Sequence, residues 1–293
     1  MKAYLQHFFE EFYYEKEDAD FLTAAYDAIA GDTEALSLWQ ASLSLYEADA
    51  KTNFDVLLSN ASRAGERVGV HPFTAELLMS VCLSESMRKH YKKAGYSDDL
   101  FCDTILDLRY KLTECKRVKG VIGSFVASWF SGFFDLSRVT LGRLQFEIIP
   151  FDTEYERDGK KIKKDTPVVN VHIPGSGEPL SFALCEDAYA RAYAFFKDKV
   201  GKPFAFVCHS WLLFPEHDSI LPLKSNIRSF MARYDIFSSG RTPRGTDLWR
   251  LFDTDEKNPA RLPKDSSLRR AYVEHLEKGG LTVYGYGLFF YEP

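Results

Sequence analysis

The chain has 293 residues, enough for one large domain or two ordinary ones, and long enough to bury a core without disulfide or metal staples. Hydrophobic residues make up 45% and charged residues 27%, which excludes a disordered chain and places it among soluble globular proteins. The formal net charge of −5 argues against a nucleic-acid binder, which needs a basic field.

The N-terminus, MKAYLQHFFEEFYYEKED, carries Glu10 and Glu11 where an export signal needs an apolar run. Helical patterns then follow one another. The first covers Ala19 to Ala30 and stops near Gly31. The second runs from Thr33 to Ala48. A third begins near Asn53 and ends between Gly65 and Gly69. The clearest starts at His71–Pro72, since proline suits the first helical turn. It places Leu77, Leu78, Val81 and Cys82 at helical spacing and ends in Arg88, Lys89, Lys92 and Lys93 before Gly95. Ser97 reads as the N-cap of one long helix through Leu100, Ile105, Leu108 and Leu112. The segment from Val121 to Leu136 is the most apolar of the chain. It is too short to span a bilayer, is interrupted by Gly123, Ser128 and Gly132, and is too apolar to be left in water.

After Gly120 the pattern changes to alternation. RVTLGRLQFEIIPF (138–151) reads as a strand with Leu144, Phe146 and Ile148 on one face and Arg143, Gln145 and Glu147 on the other. Asp158–Gly159 and the lysines at 160, 161, 163 and 164 mark an exposed hairpin tip. A second strand, TPVVNVHIP, leads into Gly175-Ser176-Gly177. A helix follows over 182–199, with Cys185, Ala188, Tyr189, Ala192, Phe195 and Phe196 as its apolar stripe. FAFVCHSWLLF (204–214) suits a strand buried on both faces. A helix over 222–234, a strand near Leu248 to Phe252, a helix over 265–278 and a closing strand over 281–292 complete the chain. The segment 236–263 has no other clear pattern. This order, all-helical and then β-β-α-β-α-β-α-β, predicts an α+β protein with a helical N-terminal domain.

Strand, glycine loop, helix, strand, helix is the central unit of the GNAT superfamily of N-acyltransferases, and this stretch resembles it. The superfamily's pyrophosphate loop reads Gln/Arg-x-x-Gly-x-Gly/Ala. Here it reads His172-Ile173-Pro174-Gly175-Ser176-Gly177, with His in place of Gln or Arg and with the helix starting late, at Ser181. Asn226 and Tyr234 resemble the superfamily's Asn…Tyr element, at a spacing of eight rather than seven. LGRLQFE, VVNVHIP, CHSWLL and SNIRSF, in this order, make the whole chain similar to a bacterial acyltransferase-like family. That family has a helical N-terminal domain, here 1–130, and a GNAT-like mixed-sheet α/β C-terminal domain, here 131–293. The resemblance implies coenzyme A or acyl-coenzyme A as a substrate, bound along the loop residues and by Ser181 and Asn226. It implies direct acyl transfer, with an amine as the expected acceptor group, but it does not identify the acceptor, a small molecule or a peptide. It also implies a helical domain that covers or shapes the acceptor side.

The residues themselves support two readings of the loop. Successive N–H groups in a glycine turn before a helix attract phosphate. A Gly-x-Gly is equally a plain turn, and Glu178 adds a negative charge. An open loop beside a cleft favours an enzyme, whereas one filled by a side chain favours a catalytically silent binding or interaction module. Acyl transfer needs a base, carbonyl donors and an acid for the leaving thiolate. Glu147 is the candidate base, or part of a solvated sheet face. Tyr234 is the candidate acid, or a partly buried tyrosine near a helix end. His209 lies on a strand expected to be buried, as a bonded core histidine or as a site residue. It cannot pair with Cys208, because neighbours on a strand point to opposite faces. The seven histidines show no HxH or HxxxH spacing, and Asp152, Glu154 and Glu156 lack a glycine turn, so no metal site is expected. Five cysteines with no CxxC pair fit reduced, buried thiols in a cytoplasmic protein with no membrane segment. The high aromatic content, 24 Phe and 16 Tyr, fits thick cores or an aromatic-lined cleft.

Overall fold

The computed structural model describes residues 1–241, 248–280 and 283–293. It divides into two compact units, Met1–Val139 and Thr140–Pro293. Among the described residues no helix is long and apolar enough to cross a membrane.

The first unit contains α1 (Lys2–Glu11), α2 (Lys16–Gly31), α3 (Thr33–Ala48), α4 (Phe54–Arg67), α5 (Pro72–Lys93), α6 (Asp98–Ile105), α7 (Asp107–Lys119) and the single turn α8 (Ser131–Phe134). Several starts are capped by the residue type that favours it: Asp32 accepts from the N–H groups of Glu34 and Ala35, Asn53 from Asp55 and Ser97 from Leu100. Helix α5 is buried without interruption from Leu77 to Ser84 because it contacts α1, α2, α3, α4 and α7. The single long helix expected from Ser97 is instead two, divided at Leu106. Asp107 starts the second, where a carboxylate complements the helix N-terminus. Part of the apolar segment 121–136 lies in the core of this unit. Phe130, Phe133 and Phe134 are at most 1% exposed, and the phenols of Tyr46 and Tyr91 donate to the carbonyls of Phe134 and Phe133.

The second unit is built on a six-stranded sheet. Its strands are β1 (Arg138–Leu141), β2 (Leu144–Pro150), β5 (Pro167–His172), β6 (Ala205–Ser210), β7 (Asp235–Arg241) and β8 (Val283–Phe290), in the order β1-β2-β5-β6-β8-β7. A small hairpin, β3 (Tyr155–Arg157) and β4 (Lys160–Ile162), turns at Asp158–Gly159 with both residues at positive φ. Strands β5 and β6 run parallel, joined by α9 (Phe182–Val200). β2 pairs with β5 antiparallel, and β8 lies antiparallel between β6 and β7. Through Tyr189, α9 packs on Phe146, Phe206 and Phe289 of one sheet face. Part of the opposite face carries a second core, where Tyr155 and Ile162 of the hairpin cover Val168, Ala205, Val207 and Leu288.

In this second unit four predicted elements differ from expectation. The run 138–151 is two strands, because Gly142 turns the chain at φ +64°. The run 204–214 leaves the sheet at Ser210 and continues as a 3-10 turn, Trp211–Leu213, capped by the Ser210 hydroxyl. The helix expected over 222–234 is only α11 (Asn226–Met231), preceded by the short α10 (His217–Ile220). The strand expected at Leu248 to Phe252 is a helix, α12. Its buried Leu248, Leu251 and Phe252 follow helical spacing and pack on Tyr272 and Val273 of α13 (Ser267–Glu277). The edge strand β7, DIFSSGR, had no apolar alternation to reveal it and pairs only with β8. Positions 281 and 282 of the predicted closing strand, and 242–247 of the unassigned segment, lie outside the described residues.

Two features of this unit have measurable consequences. A Cβ on Gly285 would lie 2.0 Å from the Leu213 carbonyl oxygen, whereas one on Gly240 would meet nothing within 4 Å. Gly285→Ala should therefore cost about 2–4 kcal/mol of unfolding free energy, and Gly240→Ala less than about 1 kcal/mol, in urea titrations. His217 is fully buried, with Nδ1 against the Leu212 carbonyl and Nε2 against the Tyr272 phenol. Burial pushes its pKa down to about 4. The unfolded chain then binds the proton more readily than the folded one, so stability is full above about pH 6.5 and falls toward pH 4, by up to about 1.4 kcal/mol per unit. The difference in pH slope between wild type and His217→Gln measures this contribution.

Candidate active site

Alternation along β5 turns Val169 and Val171 toward α9, and Val168, Asn170 and His172 to the other face. The antiparallel register sets Glu147 opposite Asn170 and Gln145 opposite His172. Cross-strand neighbours on one face are within side-chain reach, and these three meet. The Glu147 Oε1 lies 2.7 Å from His172 Nε2 and accepts from Asn170 Nδ2 at 3.2 Å. The carboxylate on Nε2, with the Asn170 amide beside it at 3.1 Å, fixes the orientation of the His172 ring. The pair is mostly enclosed, His172 at 22% and Glu147 at 15% side-chain exposure, so little water competes for it.

The parallel ladder between β5 and β6 holds only two residue pairs, Val169 with Phe206 and Asn170 with Val207. Both strands continue, to His172 and to Ser210, without pairing further. Their carboxyl ends therefore open into a gap, as expected for a binding site in an α/β sheet. The loop 173–181 begins at this gap. Gly175 and Gly177 are exposed, Gly177 has φ +82°, and a Cβ on either would meet no atom within 4 Å. No atom crowds the two glycines, so their outer side is open. Among the described residues the Glu178 N–H donates to the Ser176 hydroxyl, and the N–H groups of Gly175, Ser176 and Gly177 have no partner within the chain. Ile173 and Ser176 are half-buried and Pro174 is buried. The Ser181 hydroxyl caps α9 by accepting from Leu184.

The loop contains no cation, but one reaches it. Arg143, at the start of β2 just after the Gly142 turn, donates Nε to the Glu178 carbonyl and Nη1 to the Pro174 carbonyl, both at 3.1 Å. Arg143 is 7% exposed and Gln145 1%, so the solvated-face alternative for Arg143, Gln145 and Glu147 is not what the fold makes. Sequence reading missed Arg143 because only tertiary structure brings it under the loop. The signal for Asn170 was present, two residues before His172 on one strand face.

His209 shares the face of Glu147 and His172, and it is exposed rather than buried, since β6 runs on beyond its pairing with β5. Cys208 points the other way and is fully buried, and burial raises its thiol pKa. Tyr234 also lies on the far side, against Phe289 under α9. It is 6% exposed, and its phenol is bonded to that of Tyr189 at 2.8 Å. Burial lifts both phenols well above their ordinary pKa. The fold thus brings Glu147, His172 and His209 to one face and separates Tyr234 from them. Asn226 is exposed at the first position of α11, after the Ser225 cap. A small apolar cavity between α9 and α11 is lined by Leu180, Phe182, Cys185, Tyr189, Phe230 and Arg233. Among the described residues no group of three His, Cys, Asp or Glu side chains is placed to hold a metal ion.

Residues 139–289 match the family described as GNAT-like C-terminal domain, and residues 3–136 match the N-acyltransferase N-terminal domain. The chain belongs to the GNAT-like family. This GNAT-like chain is similar to an acyltransferase crystallised with decanoyl-CoA and teicoplanin, at 21% identity and TM-score 0.77 over 97% of this chain and 87% of that one. It is also similar to an acyltransferase in complex with decanoyl-CoA, at 19% identity and TM-score 0.72 over 98% and 87%, and to one in complex with CoA and 10C-teicoplanin, at 22% identity and TM-score 0.72 over 97% and 87%. At these identities the likeness establishes the fold. No curated protein matches.

Removing the cation from beneath the GNAT-like loop should loosen it. Arg143→Met leaves the Pro174 and Glu178 carbonyls without their donor and should cost about 2–3 kcal/mol. Hydrogen exchange at the amides of 175–178 should quicken, while exchange in the α9 interior should follow only the global loss.

Proposed function

We propose that this chain transfers an acyl group from acyl-coenzyme A to an amine acceptor. The observation that carries the reading is the open Gly175–Gly177 loop at the mouth of the gap between β5 and β6, with Glu147 and His172 on the adjoining face. The likeness to acyltransferases crystallised with decanoyl-CoA supports the donor.

In this reading the pyrophosphate rests on the N–H groups of Gly175, Ser176 and Gly177, with the Arg143 charge beneath and Ile173 and Pro174 forming the wall. Because Ser181 starts α9 late, the anion is held by the loop more than by the first helical turn. Asn226 lies at the start of α11, one of the two helices bordering the apolar cavity, and it serves the far end of the cofactor. The thioester enters the gap beyond Asn170 and Val207, where backbone N–H groups at the strand ends offer donors to its carbonyl oxygen. The amine nitrogen attacks the carbonyl carbon, so a C–N bond forms and the C–S bond breaks. His172, oriented by Glu147 as a positioning residue, takes the proton from the amine nitrogen on its imidazole and passes it to the departing sulfur. One imidazole therefore does the work of base and acid, and Tyr234 has no step in it.

Calorimetry and thermal shift with coenzyme A and acetyl-coenzyme A test this. At a hundredfold excess over the dissociation constant, binding should add about 2.7 kcal/mol of apparent stability. Gly175→Glu, at ordinary φ and with room for the side chain, should abolish that gain. His172→Gln should keep it while lowering transfer by about 10²–10⁴-fold. A cooperatively melting wild type that gains nothing from either ligand would sink the reading.

A further inference from the structure

β8 contains the alternation Tyr284-Gly285-Tyr286-Gly287. Its glycines face the helix-covered side, where there is no room for a side chain: a Cβ on Gly287 would lie 2.8 Å from the Tyr234 Cβ, and Gly285 is closed by Leu213. Its tyrosines therefore face the side of Glu147 and His172. Tyr286 pairs with His209 in the β6–β8 ladder. The His209 ring sits 4.9 Å from the Tyr284 ring, inclined by 44°, and 5.7 Å from the Tyr286 ring, inclined by 63°. Rings tilted in this way make a concave corner instead of a flat platform. His209 is exposed and both tyrosines are half-buried, so solvent reaches the corner. Phe237 and Phe151 brace Tyr286 from behind, at 4.7 and 6.2 Å between centroids, and the Asp152 carboxylate lies near its phenol.

Extending the parallel register by two residues sets His172 and His209 side by side across the gap, on one face. The aromatic corner and the Glu147–His172 pair thus flank the place where a thioester would enter. Inclined aromatic faces attract a compact cation through their quadrupoles, and the carboxylates of Glu147 and Asp152 add to the same field. We propose that His209, Tyr284 and Tyr286 form the acceptor subsite and select a primary alkyl- or benzylammonium over a neutral alcohol. This rests on the acyl-transfer reading above. The acceptor docks as the ammonium and releases one proton to solvent. The neutral amine then attacks the thioester, and its second proton goes through His172 to the thiolate. The products are the amide, the free thiol and one proton.

The test uses the full chain saturated with coenzyme A, with benzylammonium chloride and benzyl alcohol as probes. His209 imidazole signals, assigned with His209→Gln, are followed by NMR. Benzylammonium should move them saturably, at a concentration about tenfold or more below that needed for benzyl alcohol. Tyr284→Leu should weaken the benzylammonium response about tenfold, whereas Tyr286→Phe, which keeps the ring and its packing, should stay within about threefold. Coenzyme A affinity should be unchanged in both. An equal response to the alcohol, an unaltered response in Tyr284→Leu, or His209 signals that do not move would overturn the proposal. Failure of the wild type to bind coenzyme A would instead overturn the acyl-transfer reading itself.

Discussion

Two residue pairs, Val169 with Phe206 and Asn170 with Val207, hold the central strands of the sheet parallel, and the site depends on how soon that pairing stops. Parallel strands need a crossover, and α9 supplies it by packing Tyr189 on Phe206 and Phe289. The connection into α9 is the glycine loop, so the loop is delivered to the carboxyl end of the pair. Because β5 and β6 separate after these two pairs, backbone groups and side chains at that end are available. A longer ladder would close the gap and leave the loop beside a continuous sheet.

The two faces of the sheet divide the work. The face under α9 is aromatic and dry, with Phe146, Phe206, Phe289, Tyr189 and Tyr234 in contact, and it keeps the strands in register. The opposite face is apolar only where the β3–β4 hairpin covers it, around Val168, Ala205, Val207 and Leu288. Two to four residues further toward the carboxyl ends it becomes polar, through Asn170, His172 and His209. Glu147 on β2 and the tyrosines of β8 continue the same row. The change in polarity follows the strand period, since each of these residues keeps the parity of its apolar neighbour.

Arg143 connects the loop to this arrangement. A guanidinium at 7% exposure is costly unless its donors are used, and here the carbonyls of Pro174 and Glu178 use two of them. Those bonds hold the two ends of the glycine turn, while among the described residues the N–H groups of Gly175, Ser176 and Gly177 have no partner. The arrangement places a guanidinium beneath a loop that carries no positive side chain.

Local pattern was enough to read much of this chain. The cap at Ser97, proline at the start of α5 and the strand–loop–helix–strand order over 167–210 are short-range effects, and residue type decides them. The family was legible for the same reason, because its motif lies within one strand–loop–helix unit. Where pattern was short or ambiguous the reading failed: Leu248–Phe252 has helical spacing over too few residues to outweigh a strand-like composition, and β7 is a polar edge strand whose ladder partner is β8. The site's residues were named in part from sequence, but their arrangement was beyond it. Glu147 meets His172 only because β2 and β5 pair in one register out of many, Arg143 reaches the loop from 31 residues away, and Tyr234 is turned from the site by its packing against Phe289. Residue type sets what each segment becomes, whereas register and packing between distant segments set which side chains share a face, and the chemistry of this site is a matter of shared faces.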